Sequence, residues 1–192
     1  MTIKSNVKQI ELDGIGPVRM ERSNRAKRTT ITVRHGDGVR VAVPRGTSYR
    51  EAEKFAREKA GWIKKYQNRI IQAERDCRPF LKNDVDLSRN NARQKLRRRV
   101  GLLAGEYGFD YNRVFIRNQK TRWGSCSEKN NVNLNVKLVL LPDELIDYVI
   151  LHELVHTKIK DHSPAFWREL DRYVGDARQL DSTIKEFGLA VL

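Results

Sequence analysis

The sequence predicts an α+β fold in which a small antiparallel N-terminal sheet precedes a mainly helical part that contains three closely spaced histidines. Two observations predict it. Short strand-like runs separated by turn-forming residues occupy residues 7–43, and apolar residues recur at helical spacing in much of the remainder. The 192 residues suffice for one compact domain or a domain with a small appendage, and an apolar content of 39% allows a core.

Four strands are predicted at the start of the chain. They span residues 7–12, 17–22, 29–34 and 39–43. Turn-forming residues lie between the members of each pair, at Asp13–Gly16 and His35–Gly38, and Pro44 ends the last strand. We therefore expect a small antiparallel sheet, with His35 exposed in its turn.

A capping box predicts the first helix. Ser48 and Glu51 have the required spacing, and an apolar stripe continues from there to Ile70, with a bend expected at Gly61. Residues 76–87 then interrupt the helical pattern. We predict an N-terminal β-rich and helical portion of residues 1–80 and a second portion of residues 81–192 that contains the clustered histidines, packed together as one unit.

Positive charge is the other prominent feature of the sequence. The net charge is +14, and residues 89–122 hold ten Lys or Arg against two acidic residues. Such an excess favours contact with nucleic acid or nucleotides, although basic residues also serve simply to keep a protein in solution. A helix predicted from Ser88 to Glu106 presents Arg89, Arg93 and Arg97 at helical intervals, and its basic face is where we expect any nucleic-acid contact.

Two further strands are predicted, at Val114–Arg117 and Asn131–Val139. Alternation in the second places Leu134 inward and Asn135 outward, and its free edge is expected to pair with an extended peptide. Cys126 lies between the two strands. We expect it to be a small buried thiol, because a fourth protein ligand would close a tetrahedral metal site to water.

The metal-binding pattern lies on an apolar helix that begins near Pro142. His152 and His156 are separated by four residues, so their imidazoles lie on one face and can bind one metal ion. Glu153 flanks that face, where a carboxylate can accept a proton from water activated by the metal. This arrangement is typical of a zinc hydrolase.

A catalytic zinc ion needs a third protein ligand, and His162 is the candidate. Three of the four histidines fall within eleven residues. A second helix is predicted to begin directly after His162, with Ser163 as its cap and Pro164 in its first turn, and to end at Gly175. A last amphipathic helix is predicted over residues 177–187.

Several motifs together resemble the YgjP-like metallopeptidase family, which is related to the SprT-like and WLM zinc peptidases. The motifs that carry the likeness are Val43–Thr47, Arg122–Ser127, Asn133–Asn135, Asp147–His156 and Asp161–Trp167. The resemblance implies a compact zincin-like core with a gluzincin-like site. It implies one zinc ion held by His152, His156 and His162, with Glu153 as catalytic base. It also implies that Arg122 and Trp123 lie near the cleft.

We therefore expect a zinc-dependent hydrolase that cleaves peptide bonds in a peptide or protein substrate. Candidates for stabilising the oxyanion are Arg122, Tyr148 and Tyr173. Two alternatives stay open. One is a metal-dependent nucleotide phosphohydrolase, whose arginines hold phosphates. The other is a nucleic-acid-associated zinc-binding module, against which Glu153 argues, since a structural zinc ion needs no base.

The expected compartment is the cytoplasm. The chain has no run of 18 apolar residues, so no membrane span is expected, and its start lacks the apolar core of a signal peptide. Its two cysteines, Cys77 and Cys126, do not form a disulfide framework.

Overall fold

The predicted α+β class is confirmed by the two small sheets and six α-helices found in the described part of the chain. A computed structural model describes residues 7–82 and 89–192 of the chain. The chain forms two compact units, Met1–Glu74 and Arg75–Leu192. Two statements remain predictions. One is the functional boundary between residues 80 and 81, and the other is the packing of both portions as one unit.

The first unit contains the four predicted strands. They are β1 (Val7–Leu12), β2 (Gly16–Ser23), β3 (Thr30–Arg34) and β4 (Gly38–Pro44), in the order β1-β2-β4-β3. The β1–β2 and β3–β4 pairs are antiparallel, but β2 and β4 pair in parallel. The prediction of a purely antiparallel sheet was therefore wrong. Short turns determine the pairing only within each hairpin, whereas pairing between hairpins brings together buried residues such as Met20 and Val41.

Two consecutive helices follow this sheet, α1 (Tyr49–Glu58) and α2 (Ala60–Cys77). The predicted capping box is present, since the Ser48 side chain accepts a hydrogen bond from the Glu51 amide and the Glu51 side chain accepts one from the Ser48 amide. The helix is interrupted at Lys59, two residues before the predicted bend at Gly61. His35 is exposed in its turn, as predicted, and pairs with Glu74.

The second unit is built around a three-stranded sheet and four helices. Its elements are α3 (Arg89–Tyr107), β5 (Val114–Arg117), β6 (Gly124–Cys126), β7 (Val132–Asn135), α4 (Asp143–Val155), α5 (Pro164–Val174) and α6 (Ala177–Val191). A 3₁₀ turn at Arg78–Phe80 precedes them. The predicted cap Ser88 lies outside the described residues.

The small sheet has the order β5-β7-β6, with β7 parallel to β5 and antiparallel to β6. Strand β7 therefore has no free edge, and the prediction that a peptide pairs with it was wrong. The strand also ends earlier than predicted. Asn135 is fully buried, and its side chain accepts a hydrogen bond from the Lys137 amide at the start of a 3₁₀ helix, Val136–Leu140. Alternation alone could not reveal this change of backbone conformation.

Helix α4 is the centre of the second unit. Nine of its thirteen residues are buried. An ion pair links it to α3, where Arg99 Nε donates to Asp147 Oδ1 at 2.6 Å. Helix α5 begins at Pro164, as predicted, and Gly175 ends it with a φ of 79°, a left-handed conformation that glycine adopts without strain. No helix within residues 7–82 and 89–192 has the length and apolar character needed to cross a bilayer.

Candidate metal centre

Three imidazole rings converge at the carboxyl end of α4. His152 lies in the last turn of this helix, His156 is its C-cap, and His162 is in the loop before α5. His162 Nε2 is 3.1 Å from His152 Nε2 and 3.2 Å from His156 Nε2. Four ligands placed tetrahedrally at about 2.0–2.1 Å from zinc are about 3.3–3.4 Å apart. The three rings therefore have a spacing that fits one small divalent cation.

Packing around the rings fixes their orientation. Phe166 of α5 is fully buried and lies against all three, with ring centroids 4.9 Å from His152, 4.4 Å from His156 and 4.8 Å from His162. Trp167 Nε1 donates a hydrogen bond to the His162 carbonyl at 3.1 Å, which anchors the loop that carries the third ring. The start of α5 thus supplies the floor on which the three histidines meet.

The protonation of the rings also suits a metal ion. His156 Nδ1 lies 2.9 Å from the Ile159 carbonyl, which can only accept, so this nitrogen donates and the neutral ring keeps its lone pair on Nε2. Burial lowers the pKa of His152 to about 3 and also lowers the pKa of His156. Both rings are therefore neutral near pH 7. Lone pairs that converge at 3.1–3.2 Å repel one another unless a proton or a cation lies between them.

Glu153 is buried beside the histidines, with only 5% of its surface exposed. Its Oε2 has no hydrogen-bond partner within the described residues. Burial raises the pKa of its carboxyl to about 8, and the charge of Arg122 acts in the opposite direction. A carboxylate in this environment is a strong proton acceptor, because the charged form is poorly solvated.

Gly124 of β6 creates the space that Glu153 occupies. A Cβ atom on this residue would lie 2.5 Å from Glu153 Oε1 and 2.7 Å from Glu153 Cγ, closer than real Cβ contacts. The φ of Gly124 is not positive, so glycine is needed here for room and not for its backbone conformation. Strand β6 therefore runs directly past the carboxylate.

Asn135 holds the loop that leads into β6. Its amide nitrogen donates to the Gln119 carbonyl at 2.8 Å and to the Arg122 carbonyl at 2.9 Å, and its backbone N–H donates to the Trp123 carbonyl at 2.7 Å. Arg122 itself is exposed. Its position near Glu153 thus depends on a buried amide that the sequence alternation had assigned to the outer face.

Comparison with known proteins identifies the family. A family model described as YgjP-like, metallopeptidase domain, matches residues 27–87 and 85–187 of the chain. The chain belongs to the YgjP-like metallopeptidase family. A search of the curated proteins finds none that matches this chain.

Two solved structures are similar to part of this YgjP-like chain. The metallopeptidase zymogen abylysin of Pyrococcus abyssi shares 22% identity, covers 50% of the chain and 99% of its own length, and has a TM-score of 0.43. The metallopeptidase zymogen jannalysin of Methanocaldococcus jannaschii shares 26% identity, covers 48% of the chain and 95% of its own length, and has a TM-score of 0.42.

Three more residues were expected near the site of this YgjP-like chain, and each has different surroundings. They are Trp123, Tyr148 and Tyr173. Trp123 is buried and donates from Nε1 to the Ile184 carbonyl at 3.2 Å. Tyr148 is buried beside the His152 ring, at a centroid distance of 5.9 Å, and burial raises its pKa. The Tyr173 ring packs against Tyr107 and Phe109, and its hydroxyl bonds to Glu169. Their roles in catalysis remain predictions.

Sequence reasoning missed Lys160, which lies between His156 and His162. Its Nζ donates to the Ser127 carbonyl at 3.0 Å and to Asn130 Oδ1 at 2.6 Å, and so holds the turn between β6 and β7. Asn130 has a φ of 56°, a conformation that asparagine tolerates better than most residues. A lysine in a short histidine-rich loop carries no sequence signal for such a distant contact.

Cys126 is half-buried, and the metal-ligating cluster found within the described residues consists of the three histidines without it.

Proposed function

We propose that this chain is a zinc-dependent peptidase with one metal ion held by His152, His156 and His162. The observation that carries the proposal is the convergence of three imidazole nitrogens beside the buried, unpartnered carboxylate of Glu153. When bound, zinc acts as a Lewis acid that polarises a carbonyl and makes a bound water more acidic. Membership of a metallopeptidase family supports a hydrolase that uses a divalent metal.

Glu153 is proposed as the general base. Its carboxylate is desolvated, which favours proton uptake, and the positive charge of Arg122 opposes that tendency. The proton accepted at a Glu153 oxygen is then available to the leaving amine. Arg122 is exposed and close enough to act on the carboxylate, so we propose it as the positive charge that also stabilises a developing oxyanion.

The proposed substrate is an extended polypeptide that pairs with the outer edge of β6, which has no partner strand among the described residues. This strand lies at the edge of its sheet. Its first residue, Gly124, lies so near Glu153 that an added Cβ atom would be 2.5 Å from Glu153 Oε1. A peptide that adds a strand here is brought alongside the carboxylate by its own backbone hydrogen bonds. The turn held by Lys160 keeps this edge in place.

The test combines metal analysis of the purified protein with digestion of an unbiased peptide library followed by mass spectrometry. Glu153→Gln is expected to keep its zinc and to lose cleavage by a factor of about 10²–10⁴, the usual contribution of a general base. Glu144→Gln is the matched control, because Glu144 is exposed in the first turn of the same helix. Its activity should equal that of the parent. His162→Ala is expected to lose the metal.

Two results would overturn this proposal. Equal cleavage by the parent and Glu153→Gln would remove the base assignment. Phosphate release from nucleoside triphosphates, together with no cleavage of any library peptide, would favour a phosphohydrolase instead.

A further inference from the structure

The first unit has a groove far in sequence from the histidines. It lies between the outer strand β3 and the helices α1 and α2, and encloses a volume of about 750 Å³. Ile31 of β3, Phe55 of α1 and Trp62 of α2 give it apolar walls, while Arg28 and Lys59 line it with positive charge. A volume of this size lies within the range of pockets that hold ligands in proteins.

Trp62 is exposed to an unusual degree for its size. It has 48% of its surface accessible, while Trp123 and Trp167 have 8% and 9%. Its ring stacks on Tyr66 one turn later, with centroids 5.4 Å apart and planes 24° from parallel. This contact holds the indole in one orientation, so a ligand meets a rigid aromatic surface at little entropic cost.

Strand β3 supplies the second recognition element. It pairs with β4 on one side and is the last strand of its sheet, so that within the described residues no strand pairs with its other side. The backbone N–H and C=O groups on that side are available to a further strand. Thr30 and Ile31 belong both to this edge and to the wall of the groove, so one extended chain can use both at once.

Charge indicates which kind of chain fits. Residues 1–74 hold 17 Lys or Arg against 8 Asp or Glu, a larger excess than the rest of the sequence has. The acidic residue in the groove, Glu51, accepts hydrogen bonds at its Oε2 from the backbone N–H and the hydroxyl of Ser48 in the capping box. The groove wall thus carries two cations, Arg28 and Lys59, against this one carboxylate, which leaves it with a positive excess.

We propose that this groove binds an extended acidic polypeptide segment, which adds a strand to β3 and places an apolar side chain against Trp62. An open strand edge favours a polypeptide over a nucleic acid, because nucleic acids have no regular backbone pattern that matches it. The groove then acts as a docking site formed by residues of the first unit alone, and binding there does not depend on the activity of the histidine cluster.

The binding test uses the full chain with Glu153→Gln, so that no probe is cleaved. The probe is a fluorescent peptide of about eight residues that alternates glutamate and valine, a length typical of a strand. Fluorescence anisotropy should show saturable binding, weakened about tenfold or more by Trp62→Ala and by Lys59→Glu. Lys54→Glu reverses an exposed charge on α1 outside the groove and should leave binding unchanged. Circular dichroism verifies that each variant is folded.

Hydrogen exchange provides a readout specific to strand addition. Saturating peptide should slow exchange of the amides of Thr30–Arg34 and leave those of β1 unchanged. The proposal is overturned if the peptide does not bind, if the two groove variants bind it as the parent does, or if β3 exchange is unaffected. Tighter, Trp62-dependent binding of an oligothymidine would assign the groove to single-stranded nucleic acid instead. Loss of peptidase activity in the parent would leave all these measurements intact.

Discussion

Replacing Gly124 with alanine tests whether the position of the Glu153 carboxylate matters for catalysis. The added Cβ would lie 2.5 Å from Glu153 Oε1, whereas ordinary contacts begin at 3.4 Å. The carboxylate must therefore move by about 0.9 Å. Rotation of its terminal group alone is not sufficient, because Glu153 Cγ would also lie only 2.7 Å from the new atom. Either the side chain or strand β6 has to shift.

The expected loss follows from this displacement. A misplacement of about 1 Å in a catalytic group costs about 10²-fold in rate. Overpacking of a buried contact also lowers the free energy of unfolding by about 1–3 kcal/mol. The three atoms nearest to the new methyl group all belong to Glu153 and none to a histidine, so zinc stoichiometry should stay at the value of the parent. The predicted variant is thus folded, loaded with metal and about a hundredfold less active.

The assay compares kcat and KM for a peptide identified by library digestion, with zinc content and thermal unfolding measured on the same samples. Gly105→Ala is the matched control, since this exposed residue of α3 has no atom within 4 Å of an added Cβ. It should retain full activity. Full activity of Gly124→Ala at unchanged zinc content would refute the reasoning, because it would mean that catalysis does not require the carboxylate where β6 holds it.

Three other changes have defined outcomes. Asn135→Ala removes the buried amide that donates to the Gln119 and Arg122 carbonyls and should lower the free energy of unfolding by about 1–3 kcal/mol in urea titrations. Phe166→Leu removes the ring shared by the histidines and should weaken zinc affinity about tenfold in competition with a chromophoric chelator. The pKa of Glu169 is lowered in the folded state, mainly because Tyr173 donates to it, so its stabilisation is present above its unfolded pKa of about 4.3 and is lost as the pH falls through the folded value. Tyr173→Phe should therefore flatten the acid side of a stability–pH profile.

Local chemistry accounts for what the sequence could predict. The capping box at Ser48, the start of α5 at Pro164 and its end at Gly175 all depend on residues within one helical turn of the boundary. The i, i+4 spacing of His152 and His156 belongs to the same class, because helix geometry alone puts them on one face. These features need no knowledge of the rest of the fold.

Pairing between distant segments explains what the sequence could not predict. The parallel contact of β2 with β4 and the central place of β7 are decided by which buried faces meet, and neither leaves a local pattern. Strand β6 is only three residues long, too short to show alternation. Asn135 looked like a polar outward position, but its amide satisfies carbonyls in a loop that is distant in sequence. Such a residue becomes interpretable only when its partners are known.

The candidate site contains two features that are unfavourable in isolation and that a cation relieves together. Three imidazole nitrogens converge with lone pairs, in an environment that lowers the pKa of His152 and His156 and so discourages the protons that would separate them. A carboxyl group is buried next to them without a partner, and its pKa is raised for the same reason, loss of solvent. Burial thus keeps His152 and His156 neutral and makes Glu153 basic. A positive charge bound by the nitrogens would remove the repulsion between their lone pairs and would reduce the cost of burying the charged Glu153 carboxylate. Replacing the histidines with neutral side chains would remove only the repulsion. The metal centre therefore includes more than its ligands. The apolar packing of Phe166 against the histidines and the space that Gly124 leaves for Glu153 are equally part of it.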